Sequence, residues 1–168
     1  MNIKDFLHDE LIFTKTSFKN TTELFKEVAK IAEEKGYANS LFLEKIIKRE
    51  ETFPTGLQLE NNGVAIPHTD ADTIEKEFVA VITLENEGVP FKRMDDPNEE
   101  VEAKVVFVLG LNQPHQQLEM LQSLMAFIQD GSLSKRTDAK ILIIIFKLLD
   151  ESLIVFFVLS REENYIIL

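Results

Sequence analysis

Gly63-Val64-Ala65-Ile66-Pro67-His68 sets a short apolar strand directly against a reactive side chain. Val64 and Ile66 alternate with Ala65 as in a buried strand. Gly63 opens the run, and Pro67 closes it because proline has no N–H to give to a ladder. The pattern predicts that His68 is delivered to a sheet edge. An imidazole changes charge near neutral pH and its two nitrogens can take different tasks, so a histidine placed there is a candidate nucleophile. It could equally be an ordinary hydrogen-bonded histidine after an apolar run, and the flanking sequence has to decide.

Upstream, Leu24, Phe25, Val28, Ile31 and Ala32 recur at helical spacing, from a cap at Thr21 or Thr22 to a stop at Gly36. Ser40 is placed to cap a second amphipathic helix, Leu41 to Glu50, which has to end before Pro54. Arg49 then falls in its last turn, beside the loop Thr52-Phe53-Pro54-Thr55-Gly56 that leads to the histidine strand. A cation is favoured at a helix C-terminus in any protein, so position alone gives Arg49 no task. Residues 1–13, with Ile3, Phe6, Leu7, Leu11, Ile12 and Phe13, fit a helical turn followed by a strand.

Downstream, Thr69, Asp70, Ala71 and Asp72 form a loop, and residues 78–84 (FVAVITL) have the β-branched content of a buried strand. Glu87-Gly88 makes a turn, Val89 to Met94 an edge segment, and residues 103–111 (AKVVFVLGL) a second central strand. Gln113-Pro114 starts a helix, because proline is tolerated in the first turn; Leu118, Leu121, Leu124, Met125 and Ile128 supply its apolar stripe up to Gly131. Met120 and Met125 read as core rather than as a ligand pocket. Apolar strands alternating with amphipathic helices allow an α/β fold.

A chain of 168 residues suits one domain with a full core. It has no cysteine, which excludes a disulfide framework, a thiolate metal site and a cysteine nucleophile, so any group carrier must use another side chain. The net charge of −11 disfavours nucleic acid and anionic membrane as partners and favours a partner with a positive docking surface. Residues 1–10, MNIKDFLHDE, carry charges where a signal peptide needs an apolar core, so the expected location is the cytoplasm.

The Gly-x-Ala-x-Pro-His run, with the Arg49-Glu50 pair and Thr55-Gly56 shortly before it, resembles the enzyme IIA domains, type 2, of the bacterial sugar phosphotransferase system, the fructose, mannitol and galactitol class. The resemblance implies an α/β domain with a mixed sheet flanked by helices. It implies that His68 accepts a phosphoryl group from phospho-HPr and hands it to a cysteine of an enzyme IIB component, which works with a membrane-bound IIC component. It also gives Arg49 the task of holding the phosphoryl oxygens through its fork of donors. No cofactor is called for. A second histidine of the mannitol type directly precedes a leucine at a helix start. Here Gln117 fills that position before Leu118, and His115 lies earlier. Either His115 reaches the site from that turn, or Gln117 provides a neutral donor and His115 is ordinary surface. The segments Phe91 to Met94 and Gln116-Gln117-Leu118 look closer to the galactitol type.

The resemblance runs from about residue 20 to about residue 133 of a single domain expected to span 1–168. Residues 134–168 are atypical: 141–146 and 153–159 are strongly apolar, yet each is far below the roughly 20 residues of a spanning helix. A shifted reading frame or a segment that covers an apolar face would each account for them. Two other functions use the same residues. A regulatory module could keep the phosphorylatable histidine without transporting sugar. A metal-dependent hydrolase could bind its ion through His68, Asp70 and Asp72, which lie on one face of an extended chain, together with His115.

Overall fold

In a computed structural model, which describes residues 3–60 and 62–129, the elements in chain order are β1 (Ile12–Thr16), α1 (Thr21–Glu34), α2 (Phe42–Thr52), β2 (Gly56–Gln58), β3 (Gly63–Ala65), β4 (Phe78–Leu84), β5 (Val89–Lys92), β6 (Glu100–Gly110) and α3 (Pro114–Gln129). Short 3-10 turns at Ile3–Phe6 and Asp9–Leu11 precede β1, and another at Ala71–Thr73 follows the histidine segment. The atypical residues 134–168 lie outside the described residues.

The strands form one six-stranded mixed sheet in the order β1-β4-β6-β3-β2, with β5 also pairing β6. β4 and β6 are its centre, antiparallel from Phe78↔Gly110 to Thr83↔Val105, and every residue of β4 is buried. That all-round burial is why β4 reads as a continuous apolar run rather than an alternation. One face of the sheet, with Phe78, Ala80, Ile82, Val106 and Val108, packs into a single cluster with Leu24, Phe25, Val28 and Ala32 of α1 and Phe42 and Ile46 of α2. Phe78 meets Tyr37 and Phe42 edge-on, with ring centroids 5.9 Å apart in each pair. This is the mixed sheet flanked by helices that the family resemblance implied.

Several local expectations change. Asn20, not Thr21 or Thr22, caps α1 by accepting a hydrogen bond from Glu23 N–H, as the cap must lie one residue outside the first helical turn. Ser40 does not cap α2; Asn39 Oδ1 accepts from Leu41 N–H, and the helix runs on to Thr52. In α3 Leu124 and Ile128 of the expected stripe are buried, as is Met120, whereas Leu118 is exposed. β6 starts at Glu100, earlier than expected, because its first residues pair with β5 and leave alternate side chains in solvent. β3 is an interior strand between β6 and β2, so His68 does not stand on an edge strand. It lies past the end of β3, where it still bridges Leu109 of β6.

Gly63 is needed where β3 crosses β6. A Cβ there would fall 2.5 Å from Val101 Cγ2 and 2.7 Å from the Glu102 carbonyl carbon. That close approach sets the depth at which the histidine strand runs. Among the described residues, no helix is long and apolar enough to cross a membrane.

Candidate functional site

His68 is half-buried just beyond β3. Its Nδ1 lies 3.0 Å from the Ile66 carbonyl oxygen. A carbonyl can only accept, so Nδ1 must carry the proton, and in the neutral ring the lone pair is on Nε2. The segment is fixed on its other side by Leu109 N–H, which donates to the Pro67 carbonyl at 2.9 Å. Pro67 has no N–H, so this strand end gives up a donor but keeps its acceptor in the sheet.

Arg49 occupies the last turn of α2, where its guanidinium carbon stands 4.3 Å from the centroid of the Phe53 ring. That is within cation–π range of an exposed ring, and among the described residues no carboxylate pairs with the guanidinium. Arg49, Lys45, Lys48, Glu44, Thr52, Phe53 and Asp70 line an open cleft of about 360 Å³. Asp70, two residues past His68, is the loop's contribution to this lining, the other six residues come from α2 and its C-terminal end, and His68 itself is not among them. Three cations against two carboxylates give the cleft lining a small positive excess in a chain whose net charge is −11. That local reversal of sign suits an anionic group.

Lys45 Nζ is 2.6 Å from Asp72 Oδ2 and 3.6 Å from Asp70 Oδ2, a clamp between α2 and the loop after His68. Both aspartates of the metal reading are therefore taken up by an amine. His115 is well exposed and pairs with Glu119 Oε1 at 2.9 Å on its own helix. Among the described residues, no three His, Asp or Glu side chains converge on a common metal position. The structure does not bring the four proposed ligands together.

Gln117 does reach the site. Its Nε2 donates to the Thr69 carbonyl at 3.2 Å and the Leu111 carbonyl at 2.9 Å, tying the residue after His68 to the end of β6. Gln117 thus touches the histidine loop through backbone carbonyls, while His115 pairs on its own helix at the surface.

Sequence reasoning assigned no task to Glu50 and Thr55. The Glu50 carboxylate is buried and accepts from Thr55 N–H at 2.8 Å and Thr55 Oγ1 at 2.9 Å. Burial pushes its carboxyl up to about 7, against the opposing effect of the two Thr55 donors. Thr55 Oγ1 in turn accepts from Ile66 N–H at 3.2 Å. The signal was available: Phe42, Ile46 and Glu50 recur every four residues, which puts the glutamate on the buried stripe of α2.

Comparison with known proteins gives the family. The family described as "Phosphoenolpyruvate-dependent sugar phosphotransferase system, EIIA 2" matches residues 5–147. The PTS system galactitol-specific EIIA component of Escherichia coli (strain K12) is 31% identical over 113 residues, covering 67% of this chain and 74% of that protein. Among solved structures, the crystal structure of mannitol IIA from Escherichia coli superposes with a TM-score of 0.63 at 22% identity, over 86% of this chain and 99% of that one. The complex of Escherichia coli mannitol enzyme IIA with phosphorylated mannitol enzyme IIB gives 0.62 at 22% identity, over 85% and 96% of the two chains. The chain therefore belongs to the type 2 enzyme IIA family of the phosphoenolpyruvate-dependent sugar phosphotransferase system, whose members are phosphotransferases that pass a phosphoryl group through a histidine.

Proposed function

We propose that His68 Nε2 is the phosphoryl-accepting atom of this carrier, and that Arg49 steadies the migrating oxygens in the cleft. The carrying observation is the Ile66 carbonyl on Nδ1, which leaves the lone pair on the nitrogen that faces away from the backbone. The phosphoryl group arrives from phospho-HPr. The nitrogen–phosphorus bond of the donor breaks, its electron pair returns to the donor ring, and a new bond forms from His68 Nε2 to phosphorus. The Nδ1 proton stays in place, and the Ile66 carbonyl stabilises the positive charge that the ring acquires. In the second step a cysteine thiolate of an enzyme IIB component attacks the same phosphorus in line, and His68 recovers its lone pair.

Little covalent chemistry is asked of the protein beyond position and charge. Arg49 presents paired N–H groups matched to phosphoryl oxygens, and Lys48 adds a further cation to the same wall. Because two partners use one histidine in turn, the surface around it has to be open and weakly binding. The exposed Phe53 and the open cleft fit that need. The likeness to a galactitol-specific component supports placing this carrier in the galactitol branch. We read the whole chain, 1–168, as one such domain working in the cytoplasm, where its donor and acceptor are found.

Incubation with enzyme I, HPr and labelled phosphoenolpyruvate tests the assignment. Wild type should take up an acid-labile label that His68→Ala does not, and label retained by His68→Ala would place the nucleophile elsewhere.

A further inference from the structure

Ile66 is held at both ends of its backbone. Its N–H donates to Thr55 Oγ1 at 3.2 Å, and its carbonyl accepts from His68 Nδ1 at 3.0 Å. The first bond has an unusual origin. β2 and β3 pair antiparallel with Gly56 opposite Ala65, so the next pair outward would be Thr55 opposite Ile66. The ladder stops there, and the Thr55 hydroxyl takes the place that a strand carbonyl would have had. A backbone ladder fixes its own geometry, whereas a hydroxyl rotates and needs a partner to aim it.

Glu50 is that partner. The ionised carboxylate only accepts, so in that form Thr55 Oγ1 gives its proton to Glu50 Oε2, at 2.9 Å, and turns a lone pair toward Ile66 N–H. Glu50 Oε1 takes Thr55 N–H at 2.8 Å, which locks the threonine backbone as well. Glu50 is only 8% exposed and Thr55 only 2%. Among the described residues no lysine or arginine pairs with this carboxylate. An apolar residue would suit the Phe42–Ile46 stripe of α2 without the cost of burying a charge. The carboxylate is better explained by what it orients than by what it stabilises.

We propose that Glu50 and Thr55 are positioning residues for the phosphoryl-accepting histidine: through Ile66 they fix the His68 ring with its proton on Nδ1 and its lone pair on Nε2. The inference rests on the reading of His68 as the nucleophile. Neither residue touches the phosphoryl group. The path runs from the Glu50 carboxylate to the Thr55 hydroxyl, to Ile66 N–H, through one residue of backbone to the Ile66 carbonyl, and to Nδ1. Pro67 makes that single residue effective, because its fixed φ limits how the backbone between the Ile66 carbonyl and His68 can adjust.

The test combines two readouts on Thr55→Val, Thr55→Ser and Glu50→Gln. Nitrogen-15 NMR of the unphosphorylated protein reports the His68 tautomer, and the labelling rate from phospho-HPr reports transfer. Thr55→Val should keep the fold by circular dichroism, lose the single Nδ1–H tautomer and slow labelling about ten-fold or more, the scale expected when a reacting group is no longer held in place. Thr55→Ser, which keeps the hydroxyl, should restore both. Glu50→Gln should shift both readouts in the same direction. The Glu50→Gln, Thr55→Val pair should be no worse than Thr55→Val alone, because the glutamate acts through the threonine. A pure Nδ1–H tautomer with labelling within two-fold of wild type in Thr55→Val would overturn the proposal. If Thr55→Val does not fold, the same two results in Glu50→Gln decide it. A labelled His68→Ala control would instead remove the nucleophile assignment, while the tautomer measurement would still show whether Glu50 and Thr55 set the ring.

Discussion

Replacing Glu50 by glutamine should change how stability varies with pH. The Glu50 carboxyl rises from an ordinary 4.5 to about 7 on folding, with burial as the larger cause and the two Thr55 donors opposing it. The folded protein therefore binds a proton that the unfolded chain has released between these values. The stability contributed by this group is fully present below pH 4.5 and is lost as pH rises through 7. The whole span corresponds to roughly 3 kcal/mol, and the part between pH 5 and 8 to about 2.5 kcal/mol. The charged groups that share the cavity beside Glu50 are Glu51, Lys92 and Glu100, a balance that leaves burial as the dominant effect. Urea unfolding followed by circular dichroism at pH 5, 6, 7 and 8, on wild type and Glu50→Gln, isolates the group, because every other titration is common to both proteins. Wild type should lose about 2.5 kcal/mol relative to the variant across that range. A difference that stays flat within about 0.5 kcal/mol, or that grows in favour of wild type as pH rises, would refute the claim that this carboxyl is buried without a compensating cation.

Arg49→Lys keeps one charge but loses the paired donors and the stacking on Phe53; labelling should slow by about ten- to a hundred-fold with the melting temperature within a few degrees of wild type. An unfolded Arg49→Lys would assign that side chain to the fold instead. His115→Ala should label at the wild-type rate and shift stability by less than about 0.5 kcal/mol, since an exposed i,i+4 pair with Glu119 is all it removes; a slower rate would bring His115 into transfer. Gly110→Ala should cost about 1–3 kcal/mol in denaturant unfolding, because the new Cβ would run into the Phe78 ring at the centre of the sheet.

The parts of the fold legible in the sequence were those where one physical signal acted alone. β4 and the α1 stripe have an apolar pattern that admits one reading, and both lie where the pattern put them. Caps were harder. Asn20, Thr21 and Thr22 are all competent, and only the actual path of the chain into α1 selects Asn20. β2 is three residues long and draws its stability from Ala65 and Gly63 across the ladder, so nothing local announces it. The α3 stripe was right at Leu124 and Ile128, and Met120 is core as read, but Leu118 lies at the far edge of the apolar arc and tertiary contact leaves it exposed. At the site, the residue types in the histidine run were readable from chemistry. The direction of the His68 ring was not, since it depends on a carbonyl aimed by strand geometry. Gln117 was visible as a departure from the mannitol pattern, but its two carbonyl partners come from chain segments that only the fold brings together.

The consecutive pair Arg49-Glu50 shows why the site is hard to alter piecemeal. Successive residues on a helix point about 100° apart, so one turn of α2 sends a guanidinium into the cleft and a carboxylate into the interior. The first lines the cleft, and the second accepts from the Thr55 hydroxyl, which in turn accepts from Ile66 N–H two residues before His68. A rotation or slide of α2 would therefore move Arg49 and the Glu50–Thr55 contact together. Lys45, one turn earlier, ties the same helix to Asp70 and Asp72 beyond the histidine, so the loop is anchored to α2 from both sides of His68.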